Sequence, residues 1–359
     1  MIIQLARFLL TLALGLLGGW VFYYFAIPAP WLLGALTFTL LLSMAGLPLL
    51  MFHRINSMTL AVIGVMLGSS FSLQLLQQAE QWLLSLSSIF FYLITVTFFA
   101  MYYCQRVAKL DFLSSWFASV PGGLSEVILL SDQLQADVRA VALFHSLRVI
   151  VILLSLPILL WFAHSHFTPP SVSSSLTFNL SVYDAFLLFA CGGLGALLAI
   201  RFHAPIAMLF YPFMLSALLH ICLFTTAKPP SGLIIITQLI IGSSIGCRFA
   251  GFPWLKALRL FKLGVGMVSI LMGVTLVFAG GLHIATGIPF TSLMLAFAPG
   301  GGAELMLIAL WLQLDPAFVA VHQLLRLTLV MLIIPLVITL WKRKQVNAIN
   351  SSPKASHLT

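Results

Sequence analysis

The chain consists of apolar stretches separated by short polar segments, and this pattern limits its fold more than any other feature. A helix that spans the hydrocarbon core of a bilayer needs about 20 apolar residues. Ten stretches approach or reach this length, near 2–25, 30–50, 57–76, 82–104, 138–162, 182–200, 204–224, 231–247, 263–286 and 316–341. Two more, 111–135 and 289–314, are each interrupted by Pro-Gly-Gly. The pattern predicts an all-α polytopic membrane protein.

The composition supports lipid as the main solvent. Of the 359 residues, 61% are hydrophobic and 7% are charged, whereas soluble domains carry about 25% charged residues. The net charge of +9 does not indicate nucleic-acid binding, because the basic residues stand singly at the ends of apolar stretches, where they orient membrane helices. The four cysteines lie in or beside apolar stretches and form no Cys-x-x-Cys pair, as is typical of small core residues.

Polar residues inside the apolar sequence recur in the same order in both halves. Around and after the interruptions, the first half has Pro121-Gly122-Gly123, Glu126, Leu134-Gln135, Asp137, Arg148 and Pro157. Their counterparts are Pro299-Gly300-Gly301, Glu304, Leu312-Gln313, Asp315, Arg326 and Pro335. Earlier in each half, Gly68-Ser69-Ser70 matches Gly242-Ser243-Ser244. Such agreement between polar residues predicts an internal duplication.

The positions of the basic residues predict how the chain crosses the membrane, because cytoplasmic loops carry excess Lys and Arg. If each Pro-Gly-Gly segment is a hairpin that returns to its own side, 14 of the 17 basic residues lie in the cytoplasm. If each segment crosses once instead, Arg106 and Arg139 fall on opposite sides. The charges therefore favour five crossings per half, and an odd number inverts the second half.

We thus predict two inverted repeats of about five transmembrane helices, each with a Pro-Gly-Gly re-entrant hairpin, in a bacterial inner (plasma) membrane with both termini cytoplasmic. The predicted parts are an N-terminal repeat at 1–165, a periplasmic linker at 166–181, a C-terminal repeat at 182–341 and a cytoplasmic tail at 342–359. The composition is compatible with a homo-oligomer, since lipid-facing and subunit-facing surfaces are both apolar.

The hairpin arms have the length of half a bilayer. The ten residues from Asp111 to Val120 rise about 15 Å as a helix. The Gly-Gly segments would then meet near the midplane from opposite faces, where irregular backbone needs protein or a water-filled cavity around it. Glycine permits sharp bends and close approach of a ligand, and the second arm points free N–H groups at the midplane, which favours anions. The alternative is that the glycines serve only a tight turn.

Arg148 and Arg326 lie about ten residues inside their apolar stretches, near mid-membrane. A cation at that depth costs at least about 2.5–3.5 kcal/mol, so we expect compensating partners. Glu126 and Glu304 are the expected counter-ions, and His145 and His322 lie about one turn before the arginines. These groups form either a structural ion pair that docks each hairpin or a substrate or ion site. The candidate site residues are Gly122, Gly123, Ser125, Glu126, His145, Arg148, Gly300, Gly301, Gly302, Glu304, His322 and Arg326.

The remaining polar features predict structural roles. Asp137 and Asp315 precede apolar stretches, as helix N-caps do. The Gly-Ser-Ser segments favour close helix packing, with a direct site role as the alternative. No His, Cys and carboxylate set has metal-ligand spacing, and the chain has no nucleotide fingerprint. We therefore predict no metal, no cofactor and no enzymatic activity.

The duplicated sequences VPGGLSEV (120–127) and APGGGAEL (298–305), each followed by a His- and Arg-containing stretch, resemble the AbrB family of bacterial membrane proteins over nearly the whole chain. Members carry two labels, regulator of gene expression and ammonia monooxygenase. The second label implies a metal or redox site, which these residues do not provide. The layout is also similar to that of bacterial secondary transporters for carboxylates, which have two inverted five-span halves with Gly-rich re-entrant loops.

These features predict a secondary transporter for a small anionic or polar metabolite, working by alternating access around a midplane site. Its partners would be the bilayer and a small molecule or ion. The alternative is a membrane-bound regulator or sensor that influences gene expression indirectly, without direct contact with nucleic acid.

Overall fold

The computed structural model describes residues 2–73, 75, 79–163, 181–202, 207–230, 232–250 and 254–351. Within these residues the chain is helical and contains no β-strand. The helices are α1 (Ile2–Tyr24), α2 (Pro30–Met44), α3 (His53–Gly68), α4 (Leu83–Arg106), α5 (Phe112–Ser119), α6 (Leu124–Gln133), α7 (Val138–Ala163), α8 (Val182–Phe202), α9 (Ala207–Ile221), α10 (Gly232–Cys247), α11 (Trp254–Thr286), α12 (Phe290–Phe297), α13 (Gly302–Leu312) and α14 (Pro316–Ser351). A 3₁₀ turn at Ala79–Trp82 precedes α4.

Six of these helices, α1, α4, α7, α8, α11 and α14, are long and apolar enough to cross a membrane. Large apolar side chains such as Phe91, Phe189 and Val277 are exposed on them, as expected of faces that contact lipid. These features are consistent with a polytopic membrane protein. Among the six, α7 is the most buried, followed by α14, and α1 and α8 are the least.

The other four predicted spans are shorter than a full crossing. Helices α2, α3, α9 and α10 have 15 or 16 residues and rise about 22–24 Å. The chain between α2 and α3 is turned or extended around Pro48, because proline cannot continue a helix. Helix α14, by contrast, is longer than the predicted span. It extends to Ser351, beyond the start of the predicted tail at 342.

Equivalent helices of the two halves make equivalent contacts. Helix α3 packs against α9 of the second half, and α10, its counterpart, packs against α2 of the first. Helices α4 and α11 pack against each other, and each also contacts the long helix of the opposite half, α14 or α7. The most buried helices therefore lie where the two halves meet.

The Gly-Ser-Ser segments pack tightly against the opposite half, as predicted. A Cβ atom at Gly68 would lie 2.6 Å from the carbonyl oxygen of Phe213 on α9. A Cβ atom at Gly242 would overlap the carbonyl oxygen of Leu32 on α2. Glycine lets these backbones approach more closely than any other residue would allow.

Each Pro-Gly-Gly segment separates two short helices that contact each other, α5 with α6 and α12 with α13. We call the four-residue connections 120–123 and 298–301 the first and second tips. The residue before proline avoids the helical region, and α5 and α12 accordingly end at Ser119 and Phe297. With 8 to 11 residues, each arm rises about 12–16 Å. Both pairs pack against the following long helix, α7 or α14.

Aspartate side chains fix the starts of the long helices that follow. Asp137 accepts a hydrogen bond from the backbone N–H of Ala140 at 3.0 Å, and Asp315 accepts one from Phe318 at 3.2 Å. The predicted N-cap roles are thus confirmed. The backbone N–H of Asp137 also donates to the hydroxyl of Ser114 at 2.8 Å, which ties the end of the first hairpin to its beginning.

Candidate functional site

Both buried arginines bind the C-terminal end of the helix that leads into a tip. Arg148 on α7 donates through Nη1 to the carbonyl oxygen of Val120 at 3.3 Å. Arg326 on α14 donates through Nη1 to the carbonyl oxygen of Ala298. In both cases the partners are 28 residues apart. The free carbonyl groups at a helix C-terminus carry partial negative charge, so each cation is compensated by backbone.

The second contact differs between the halves. Nη2 of Arg148 donates to Nδ1 of His145 at 3.2 Å, and Nε2 of His145 lies 2.8 Å from the carbonyl oxygen of Phe117. The carbonyl only accepts and the guanidinium only donates, so His145 is neutral with its proton on Nε2. Nη2 of Arg326 instead donates to the carbonyl oxygen of Gly300 at 3.1 Å. Arg326 therefore binds the carbonyl groups of the two residues that flank Pro299.

Gln323, rather than His322, is the structural counterpart of His145. Its Nε2 donates to the carbonyl oxygen of Leu295 at 2.8 Å, which is equivalent to the bond from His145 to Phe117. The two histidines that precede the arginines therefore do not occupy equivalent positions. His322 lies one position earlier and contacts Ser85 of α4 at 2.8 Å. The separation along the chain between His145 and Gln323 is the same as that between Arg148 and Arg326, and this equality is the sequence signal for the pair.

Tyr92 on α4 lies near both arginines and was not predicted from the sequence. Its side chain is fully buried, and it interacts electrostatically with both guanidinium groups. Arg148 and Arg326 also lie close enough to interact with each other. The Tyr92 hydroxyl is 3.1 Å from the hydroxyl of Thr275 on α11, in the other half of the chain. Because Tyr92 interacts with both arginines and these interact with each other, the two arginine sites belong to one region of the protein.

Several buried polar atoms at this site have no hydrogen-bond partner. They are Nε of Arg148, Nε of Arg326 and Oε1 of Gln323. The two arginines are 2% and 1% exposed, and Gln323 is fully buried. Leaving a buried polar atom unpaired costs about 1–3 kcal/mol. The site therefore offers free donors from both halves and a free acceptor from the second.

Glu304, the expected counter-ion of Arg326, does not bind it, because Arg326 donates to backbone carbonyl groups instead. The carboxylate of Glu304 folds back against Gly301, where a Cβ atom would lie 2.6 Å from its Cδ. Gly301 is the N-cap of α13, so Glu304 is the third helical residue, from which a carboxylate reaches its own helix N-terminus. This local interaction explains why Glu304 does not turn toward Arg326. The side chains of Ser125 and Glu126 lie outside the described part of the structure.

The tip glycines are not required by backbone conformation. Gly123 and Gly301 have φ values of −69° and −71°, which any residue can adopt. At the second tip and the residue after it, crowding by neighbouring side chains explains the glycines instead. A Cβ atom at Gly300 would lie 3.1 Å from Ile152 on α7, and one at Gly302 would lie 3.1 Å from Leu327. Gly122 and Gly123 are half-buried.

Replacement of Gly301 by alanine is expected to displace the Glu304 carboxylate and to destabilise the protein by about 1 kcal/mol, the typical value of a helix cap. The added methyl group overlaps the end of a flexible side chain, so no backbone shift is needed. Thermal unfolding of Gly301→Ala, Glu304→Ala and the double variant provides the measurement. In the Glu304→Ala background the glycine substitution should be nearly neutral, and equal costs in both backgrounds would contradict the contact.

The sequence match to known proteins covers both arginine sites. A model of the family described as "Transition state regulatory protein AbrB" matches residues 31–342. The chain belongs to the AbrB family. "Uncharacterized protein YhjN" of Bacillus subtilis (strain 168) is 25% identical over 363 residues, which cover 92% of both chains. "Putative regulator AbrB" of Escherichia coli (strain K12) is 25% identical over 318 residues, which cover 85% of this chain and 88% of that protein. No solved structure matches.

This AbrB-family protein thus places two guanidinium groups, a phenol and an amide in a buried region between its halves. Guanidinium groups with free donors suit carboxylate or phosphate oxygens. The Gln323 acceptor, 3.8 Å from where Gly302 would carry a Cβ atom, suits a hydroxyl or amine donor. The chemistry of these groups therefore matches that of an anion with polar substituents.

Proposed function

We propose that this AbrB-family protein is a secondary transporter of a small anionic or polar metabolite, which it moves by alternating access around the buried arginine site. The observation that supports this most strongly is the pairing of Arg148 and Arg326 with backbone carbonyls. Carbonyl groups lower the cost of burying a cation but leave its formal charge in place. Two such charges close together favour an anion that brings its own compensation.

The membrane arrangement we propose is two inverted repeats, each with a re-entrant hairpin, and both termini in the cytoplasm of a bacterial cell. Equivalent packing in the two halves and arms of half-bilayer length support it, as does the distribution of basic residues. In such transporters the ligand lies near the midplane between the repeats, and here Tyr92 interacts electrostatically with the arginines of both repeats. We further propose that the protein has no enzymatic activity and does not bind nucleic acid directly.

A ligand screen tests the proposal. A ligand that binds only the folded state at 100 times its Kd stabilises that state by about 2.7 kcal/mol. We expect carboxylates or phosphorylated metabolites to raise the Tm of the purified protein. Arg326→Lys keeps the positive charge but loses the planar set of donors, and it should keep its fold while losing this response. A folded Arg326→Lys variant that responds like the wild type would place the ligand elsewhere.

A membrane-bound regulator or sensor is the second candidate, because the family description and the Escherichia coli relative's name both refer to regulation. Reconstitution into liposomes distinguishes the two candidates. A transporter moves the stabilising ligand across the bilayer with saturable kinetics, and Arg326→Lys abolishes this flux. A sensor binds the same ligand with no flux.

A further inference from the structure

His322 belongs to a chain of three polar contacts that crosses from α14 to α4. Its Nδ1 lies 2.8 Å from the carbonyl oxygen of Phe318, and its Nε2 lies 2.8 Å from the hydroxyl oxygen of Ser85. That hydroxyl oxygen lies 2.9 Å from the carbonyl oxygen of Trp82. His322 and Ser85 are both fully buried, so the hydrogens for these contacts come from the two side chains themselves.

The number of hydrogens distinguishes the two protonation states of His322. The three contacts need three hydrogens, because both outer partners are carbonyl oxygens that only accept. A neutral imidazole supplies one N–H and Ser85 supplies one O–H, so one contact lacks a hydrogen. An imidazolium supplies two N–H groups, and every contact is then a hydrogen bond. The direction is also consistent, since Nε2 donates to Ser85 and Ser85 donates to Trp82.

We propose that His322 and Ser85 form a proton-binding site and that the proton bound there is the coupling ion of the transporter. The second part rests on the proposed function. On uptake, the Nε2 lone pair binds the proton and the Ser85 hydroxyl rotates from Nε2 to the Trp82 carbonyl. On release, Nε2 loses the proton and the hydroxyl rotates back. Only one side-chain torsion changes between the two protonation states, so both are compatible with the same packing of the helices.

Two aromatic rings lie beside His322. The ring centroid of Phe318 is 4.0 Å from that of the imidazole, and Phe297 is 6.0 Å away, within the range of cation–π attraction. Helix α12 carries no charged or titratable residue. Helix α14 has Asp315 at its start and contains Arg326 and, in its last part, Lys342, Arg343 and Lys344. The charged and titratable groups on the other described elements that pack against α14 are Glu304 on α13, Glu80 before α4, Tyr92, Tyr102, Tyr103, Cys104 and Arg106 on α4, and His53 and Arg54 in the first turn of α3.

The proton site and the arginine site share structural elements. His322 lies one turn before Arg326 on α14, and Phe297, which contacts the imidazole, directly precedes the carbonyl group that holds Arg326. An anion that binds together with a proton adds no net charge to a region where charge is costly. Glu80, which is exposed and lies two residues before Trp82, provides a carboxylate near the Trp82 end of the chain of contacts.

Histidine NMR of the full-length protein tests the proton site directly. With ¹⁵N-labelled histidine, the difference between wild type and His322→Gln identifies the His322 signals. We expect both ring nitrogens to become protonated as the pH is lowered. Ser85→Ala removes an acceptor from a charged donor, and we expect the proton affinity to fall about tenfold. Ser88→Ala, which removes a hydroxyl bonded within α4, is the matched control and should leave the titration unchanged.

Several results would overturn the proposal. A His322 that stays neutral throughout the titration excludes the proton site, and so does an equal effect of Ser85→Ala and Ser88→Ala. If His322→Gln does not fold, comparison of the two serine variants still identifies the signal. The coupling role is tested by liposome flux under a pH gradient, which should drive the wild type and not Ser85→Ala. Flux that ignores the gradient refutes coupling alone, whereas a wild type without flux refutes the proposed function and leaves the NMR result standing.

Discussion

Replacement of Arg326 by alanine is expected to lower the free energy of unfolding by about 2–6 kcal/mol, because it leaves two buried carbonyl oxygens unpaired at about 1–3 kcal/mol each. Those oxygens belong to Ala298 and Gly300, on either side of Pro299. Thermal and denaturant unfolding of the purified variant provide the measurement, and ligand binding should be lost as well.

Arg148→Ala is the matched variant in the first half, and its effect should be smaller. Arg148 donates to a single carbonyl, that of Val120, at the longer distance of 3.3 Å. Its other partner, Nδ1 of His145, loses its donor, but Nε2 of the same ring keeps its bond to Phe117. Equal losses of stability in the two variants would show that the extra bond to Gly300 does not distinguish the halves.

The order and approximate position of the helices could be predicted from the sequence, because apolar length is set by the thickness of the bilayer. The recurrence of the motif could also be recognised in the sequence, since Arg148 and Arg326 each follow the same Pro-Gly-Gly pattern. Helix ends were less predictable. The predicted span 30–50 extends past the end of α2 at Met44, because its apolar residues continue on both sides of Pro48, which cannot lie within the helix.

The partners of the arginines could not be predicted, because the choice between a counter-ion and a carbonyl depends on local geometry. Glu304 has the right charge and the right distance along the chain, yet its position in the first turn of α13 directs it to its own helix N-terminus. Gln323 has no charge that marks it in the sequence. Its position is defined by a hydrogen bond to the hairpin backbone, which histidine and glutamine can both donate.

The contact between α1 and α2 gives the second large prediction. Gly34→Ala is expected to destabilise the protein by about 3 kcal/mol, the upper end for overpacking. A Cβ atom at Gly34 would overlap the carbonyl oxygen of Gly18 and would lie 2.6 Å from the backbone nitrogen of Gly19. Both obstacles are backbone atoms within a helix, so neither can rotate away, and the two helices have to separate along their length.

Gly193→Ala is the control that separates this packing effect from the general effect of removing a helical glycine. Gly193 lies within α8, the counterpart of α1, and a Cβ atom there has no neighbour within 4 Å. Alanine is favoured over glycine inside a helix by about 0.5–1 kcal/mol, so this variant should be neutral or more stable. The two substitutions are chemically identical, and opposite signs of the change in Tm therefore measure the close backbone contact. Similar changes would mean that α1 and α2 separate at little cost.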